Sequence, residues 1–266
     1  WLPAVSRAKA ASENMTEVAP GLFVHHGVNA TFNPENAGDI CNLSLVVGKD
    51  AVAVIDTGGS AISGRAFLSA IRAITDKPIK YVINTHMHPD HVFGNAAFKP
   101  ENTTFVAHYK MARGLAARAD HYLAANKALL GDAFAGTEIV LPTEHVKEPR
   151  DIDLGERVIT LVPRPTAHTD NDMTVYDHAT DTLIAGDLLF SEHIPTLDGS
   201  IVGWLSVINT LRGEKAARVV AAFFEAVAPA ELDAWEQAQA ARHDAAEALD
   251  RAEAQQVERL RYQALL

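Results

Sequence analysis

The chain has 266 residues, 48% of them hydrophobic and 21% charged, which is ample for a sizeable buried core and excludes disorder as its default state. Thirty-four acidic residues against 23 basic ones leave a formal charge of −11, with no basic patch to interrupt it, so neither nucleic acid nor an anionic lipid surface is an expected partner. The single cysteine, Cys41, excludes an intrachain disulfide, and no apolar run reaches the roughly 18 residues of a membrane span.

Residues 1–17 are polar and alanine-rich without a clear period and read as an N-terminal arm. From residue 18 the apolar clusters are strand-length: 21–26, 43–47, 51–55, 79–83, 104–107, 158–162, 173–176 and 183–185, several rich in Val, Ile and Thr. Gly48-Lys49-Asp50 separates the second from the third and predicts a hairpin. Residues 60–75 carry Ile62, Ala66, Ile71 and Ile74 near helical spacing and stop ahead of Pro78. Residues 109–134 repeat the pattern with Met111, Leu115, Tyr122, Leu129 and Leu130. Strands alternate with helices in this way up to about residue 220, which points to an α/β sandwich. Beyond Ala217-Arg218-Val219-Val220 the composition shifts to Ala, Glu, Gln and Arg. Residues 229–266 are predicted as one long surface helix, with Leu232, Trp235 and Leu249 on its apolar stripe, suited to docking against a protein partner or a second copy. The expected organisation is an arm over 1–17, a main domain over 18–228 and this helix over 229–266.

The segment richest in chemistry is Thr85-His86-Met87-His88-Pro89-Asp90-His91, directly after the strand at 79–83. His86 and His88, two apart at a strand end, are expected to project to one side, while Asp90 and His91 fall in the following turn and reach a second point nearby. A polar loop with histidines by chance would look less ordered, because partners follow. His168, in Arg164-Pro165-Thr166-Ala167-His168-Thr169-Asp170, also sits in a loop after a strand, and Asp187 ends the apolar run Ile184-Ala185-Gly186. Alone, the first would be a solvated histidine and the second a turn cap; together with the first cluster they read as metal ligands. No Gly-x-Ser-x-Gly elbow is present, and Ile40-Cys41-Asn42 carries no motif, so neither a serine nor a cysteine nucleophile is expected. Gly58-Gly59 lacks the spacing of a nucleotide-binding loop.

With Val54-Ile55-Asp56-Thr57-Gly58 ahead of them, these motifs resemble the metallo-β-lactamase superfamily of zinc hydrolases over roughly residues 18 to 220. Leu188-Leu189-Phe190 and His193 to Ser200 are most similar, within that superfamily, to the zinc metallohydrolases of quinoprotein (PQQ-linked) relay systems, which implies a periplasmic setting. The resemblance implies a four-layer αβ/βα fold with the metals at the sheet edges. His86, His88 and His168 would hold a first zinc, Asp90 and His91 a second, and Asp187 would bridge the two. Asp56 would orient the histidine-bearing loop through hydrogen bonds, and His193 would line the substrate pocket. The family usually adds a late histidine from a Pro-Gly-His-Gly loop; here Ala221-Ala222-Phe223-Phe224 stands in that place, and His243 is the only later histidine. One or two zinc ions are therefore expected, the second held more weakly.

Three imidazoles and an open position bring the pKa of zinc-bound water to about 7, which implies hydrolysis of an ester, thioester or lactam-type carbonyl in a small-molecule substrate. Asp90 could accept the water's proton where no second metal engages it, and His193 or a backbone N–H could face the oxyanion. Competing readings are a mononuclear non-haem iron dioxygenase using His86, His168 and Asp187, and a metal-binding but catalytically impaired partner of a quinoprotein system. A flavodiiron oxidoreductase would carry Glu where His88 stands, and a nuclease is disfavoured by the acidic balance.

Overall fold

The computed structural model describes residues 15–190 and 196–223. Its strands form two sheets. The first runs in sequence order: β1 (Met15–Ala19), β2 (Leu22–His25), β3 (Leu43–Val47), β4 (Val52–Ile55), β5 (Ile79–Asn84), β6 (Thr104–His108) and β7 (Glu144–Val146). It is antiparallel from β1 to β4 and parallel from β4 to β7. The second has the order β12 (Arg218–Ala221), β11 (Thr182–Gly186), β10 (Met173–Asp177), β9 (Val158–Pro163), β8 (Arg150–Asp153), with only β11 and β12 parallel.

Alternation along the strands builds the layers. Val46, Ile55, Ile83 and Val106 of the first sheet pack in one core with Ile159, Leu161, Val175, Ile184 and Val220 of the second. Their neighbours Leu45, Val54, Val82 and Phe105 face the other way, into a core completed by Phe67 and Ile71 of α1 (Ala61–Ile74). The short α2 (Pro89–Val92) and α3 (Asn95–Phe98) follow β5, and α4 (Met111–Leu130) follows β6. The helix α5 (Ile201–Gly213) buries Trp204, Val207 and Leu211. Two stacked sheets with helices reproduce the expected α/β sandwich; the predicted C-terminal helix at 229–266 lies outside the described residues. No helix among those residues is long and apolar enough to cross a membrane.

Local sequence explains the helix boundaries. Ser60 caps α1 reciprocally with Ser63, and Thr75 ends it. Its buried face is Gly64, Phe67, Ala70 and Ile71, whereas Ile74, assigned to the stripe by spacing, is exposed. In α4, Met111, Leu115 and Leu130 are buried as expected, but Leu129 is exposed. Gly48 closes the predicted β3–β4 hairpin by donating its N–H to Ala51 O at 2.9 Å. Residues 15–17, read as part of the arm, belong to the edge strand β1, and β7, β8 and α5 were not anticipated. These strands are three to five residues long and mostly half-exposed, too short for a period to declare itself.

Arg157 ties the sheets together. Its buried guanidinium donates to both carboxylate oxygens of Asp177 (3.0 and 2.6 Å) and to the carbonyls of Pro20 and Val47 (2.9 and 3.1 Å). Removing it strands a buried charge on Asp177. Arg157→Met is expected to lower unfolding stability by about 3–5 kcal/mol, with Asp177→Asn in the same chain restoring part of the loss. Urea denaturation of the single and double variants measures this, and an Arg157→Met midpoint equal to that of the parent chain would contradict it.

Candidate metal centre

The site forms where strands of both sheets end. The segment 85–91 leaves β5 in a bend and not in the extended form assumed from sequence, and Pro89 then opens α2. Met87 is buried in a core with Val92, Phe93 and Met111, which anchors the bend from behind. His86 and His88 converge nonetheless. His88 presents Nδ1, which lies 2.9 Å from Nε2 of His168, and the His86 ring stands edge-on to both, with centroids 4.7 and 4.8 Å away.

His168 is held by a tight loop between β9 and β10. The Asp172 carboxylate accepts the Thr169 N–H (3.1 and 3.0 Å) and the Thr169 hydroxyl (2.7 Å), and the His168 carbonyl accepts the Asp198 N–H at 3.0 Å. Asp187 follows β11 through Gly186, whose φ of +55° suits glycine and where a Cβ would stand 2.8 Å from Thr85 Oγ1. The two oxygens of Asp187 face different rings. Oδ2 lies 3.3 Å from His168 Nε2 and 3.7 Å from His86 Nε2, while Oδ1 lies 3.0 Å from His91 Nε2. Donor atoms of His86, His88, His168 and Asp187 all fall within 4.8 Å of one another. A second group within the same limit is Asp90, His91 and Cys41.

Asp56 sets the direction of two rings. Its Oδ1 accepts the Thr85 N–H at 2.8 Å, and its Oδ2 accepts the Thr85 hydroxyl at 2.7 Å and the His91 Nδ1–H at 2.8 Å. With its proton committed to Asp56, Thr85 Oγ1 accepts from His86 Nδ1, 3.1 Å away. Both imidazoles therefore turn Nε2 into the site. His88 Nε2 lies 3.6 Å from Asp198, which is itself engaged by Arg118 at 3.1 Å. Behind His91, the buried Asn84 and Asn95 side chains pair at 2.8 Å, Thr57 Oγ1 is 2.8 Å from Asn95 Oδ1, and the His91 carbonyl accepts the Thr57 N–H at 3.0 Å.

This donor set fits a metal ion. His86 Nε2 is buried with no hydrogen-bond partner, a costly arrangement unless a cation joins it, and His91 Nε2 and Asp187 Oδ1, buried and likewise without a hydrogen bond, face each other as an ion pair at 3.0 Å. Burial, reinforced by the rings of His91, His88 and His168, holds the His86 imidazole well below its ordinary value, and burial brings His168 down to about 4. Both rings are neutral at pH 7, as ligation requires. Burial alone would raise the Asp90 carboxyl, but the facing His91 outweighs it and the group stays below its ordinary range. Burial likewise works against a charged His91, yet the carboxylates of Asp187, Asp90 and Asp56 help to raise it well above its ordinary value. A metal ion can take over that positive charge between carboxylates.

The site residues named from sequence are thus brought together, except His193, which lies outside the described residues. Cys41, Thr85, Asn84, Asn95 and Thr57 were missed. Thr85 adjoins His86 in sequence and could have been suspected, whereas Cys41 comes from a loop 49 residues before Asp90 and no spacing signals it.

The chain belongs to the Metallo-beta-lactamase superfamily, whose pattern it matches over residues 36–257. Its fold is similar to a metallo-beta-lactamase from Pontibacter korlensis, with a TM-score of 0.64 and 19% identity over 81% of this chain and 93% of that one. It is also similar to a metallo beta lactamase from Hirschia baltica, with a TM-score of 0.64 and 15% identity over 83% and 94%. At these identities the likeness is one of fold. A local likeness of 40% identity over 57 residues joins 21% of this chain to a linear primary-alkylsulfatase of Pseudomonas sp., of whose length the chain spans 11%. Members of the superfamily are mostly hydrolases, and the His/Asp cluster suggests a metal-dependent one.

The electrostatics make a pH prediction. His168, lowered to about 4, contributes stability that is present above its unfolded value of 6.5 and is lost as pH falls through 6.5 toward 4. Asp172, raised to about 7 by burial, works oppositely: its contribution is present at low pH and lost as pH rises through 7. Melting temperature mixes the two, so the ring is best followed by NMR in chelator-treated protein. The His168 imidazole should titrate near pH 4; a midpoint at 6.5 would show that the ring is solvated.

Proposed function

We propose that this chain is a zinc-dependent hydrolase in which His86, His88 and His168 hold the metal and Asp187 faces it. The observation that carries the reading is the convergence of His86 Nε2, His88 Nδ1 and His168 Nε2, two of them on deeply buried rings kept neutral, beside a buried carboxylate. Held by these three imidazoles, zinc would bring the pKa of a bound water to about 7 and would polarise a substrate carbonyl. The remaining work falls to the chain itself. Asp90, ionised at neutral pH and 3.3 Å from His91 Nε2, is placed to accept a proton from an attacking water when it is not itself engaged by a second ion. Phe190 and Trp204, with ring centroids 5.8 and 5.2 Å from that of His168, form an apolar wall that excludes water from one side.

Esters, thioesters and lactams are the proposed substrate classes, and the local likeness to an alkylsulfatase adds sulfate esters. Resemblance of the segments around Leu188 and Ser200 to PQQ-linked hydrolases supports a role beside a periplasmic quinoprotein relay. An iron dioxygenase would need His86, His168 and Asp187 alone. The third converging imidazole, His88, favours zinc.

The protein as isolated is expected to contain zinc and to hydrolyse at least one substrate of these classes. His86→Ala and His168→Ala should reduce turnover to the uncatalysed background and lower zinc content, with unchanged far-UV circular dichroism, because each removes a ligand from a loop. Elemental analysis paired with a hydrolysis screen decides it. Iron as the sole metal, with no zinc taken up on reconstitution, or full turnover in either variant, would contradict the assignment.

A further inference from the structure

Cys41 is the one thiol in the chain, and it is 1% exposed. A buried cysteine is ordinarily a small packing residue. Its surroundings here are not those of packing alone. Cys41 Sγ lies 3.0 Å from the carbonyl oxygen of Asp90, and its sulfur falls within 4.8 Å of a carboxylate oxygen of Asp90 and a ring nitrogen of His91. His91 Nε2, fully buried, has no hydrogen-bond partner, and Asp187 Oδ1, 3.0 Å from it, has none either. A buried ion pair that makes no hydrogen bond and a thiol thus lie together beside the three-histidine cluster.

The backbone has been shaped to bring the sulfur there. Gly27 lets the 40–41 peptide approach closely, since a Cβ at that position would stand 2.4 Å from Ile40 C and 2.5 Å from Cys41 N. Asn42, the next residue, locks the loop to the end of β12: its N–H donates to Ala222 O and its side-chain amide to Ala221 O at 3.0 Å. The loop carrying Cys41 therefore abuts the segment Ala221-Ala222-Phe223, where no side chain can ligate a metal.

We propose that Cys41 supplies a thiolate ligand to a second metal ion held together with Asp90, His91 and Asp187. The inference rests on the metal-site reading of the preceding subsection. It assigns the second site one sulfur, one imidazole nitrogen and two carboxylates, a four-donor set suited to tetrahedral zinc or cobalt and unsuited to magnesium or calcium. Without a metal, burial pushes the thiol well above its ordinary value, so the sulfur is protonated. Binding replaces the S–H bond by a metal–sulfur bond and releases the proton to solvent; no electron is transferred. The second site so composed is stronger than Asp90, His91 and Asp187 alone would make it.

Anaerobic titration of the chelator-treated full chain with cobalt(II) tests this without reference to turnover. Two equivalents should bind, with a sulfur-to-cobalt charge-transfer band in the near ultraviolet at saturation. In Cys41→Ser the band should vanish and tight stoichiometry should fall from two to one, with the visible cobalt bands of the histidine site retained. Cys41→Ala should behave alike, and the parent spectrum stands by itself if either variant folds poorly. Binding of one equivalent only, the absence of the charge-transfer band at two equivalents, or a Cys41→Ser protein that still binds two tightly overturns the role of Cys41 while leaving the histidine site intact. No cobalt uptake at all overturns the histidine-site reading as well.

Discussion

The carboxylate of Asp56 is the constraint on which the site depends. It leaves β4 with φ of +59°, a left-handed conformation that a side chain other than glycine adopts at some cost, and in return its two oxygens accept three hydrogen bonds from one neighbouring loop. A carboxylate has lone pairs enough for all three and no proton to compete. Because those bonds consume Nδ1–H of His91 directly and of His86 through Thr85, both rings are left with Nε2 facing inward. The lone pairs that a metal needs are thus aligned before any metal arrives.

That alignment is useful only because two sheets deliver their ends to one place. Asp56 and the 85–91 segment come from adjacent parallel strands of the first sheet; His168 and Asp187 come from the second. The core of Ile55, Ile83, Leu161, Val175 and Ile184 fixes the distance between them, and Gly186 allows the approach of Thr85 that brings Asp187 over His86 and His91. Stability and site geometry therefore share residues. Arg157, far along the strands, belongs to the same arrangement because it holds β3 against β9 and β10.

Most of this was readable in the sequence where the signal is local. The cluster from His86 to His91 declares itself by density, and His168 and Asp187 by standing after strand-length apolar runs. The inner strands were recognised within a residue or two because they are mostly buried and rich in Val, Ile and Leu. The edge strands β1, β7 and β8 were not, since three to five half-exposed residues carry no period. Helix faces were read in outline only: spacing selected Ile74 and Leu129, yet packing buried Gly64 against the Gly94 backbone and Gly114 against the Met87 side chain. Cys41 could not be found from spacing because its partners are 49 residues away and the loop that carries it has no regular structure.

The two donor groups differ in chemistry as well as position. One is rich in neutral imidazole and buried; the other is anionic, with His91 set among Asp56, Asp90 and Asp187. Asp187, with one oxygen toward each, couples them, so the charge state of either will be felt by the other. Asp56 underlies both. The most direct measurement is the zinc affinity of Asp56→Asn, determined by competition with a chelator beside circular dichroism of the same sample. Asparagine keeps the size but turns one acceptor into a donor, so affinity should fall by roughly 10–100-fold with the fold preserved. An Asp56→Asn protein that folds normally and binds zinc as tightly as the parent chain would contradict the account.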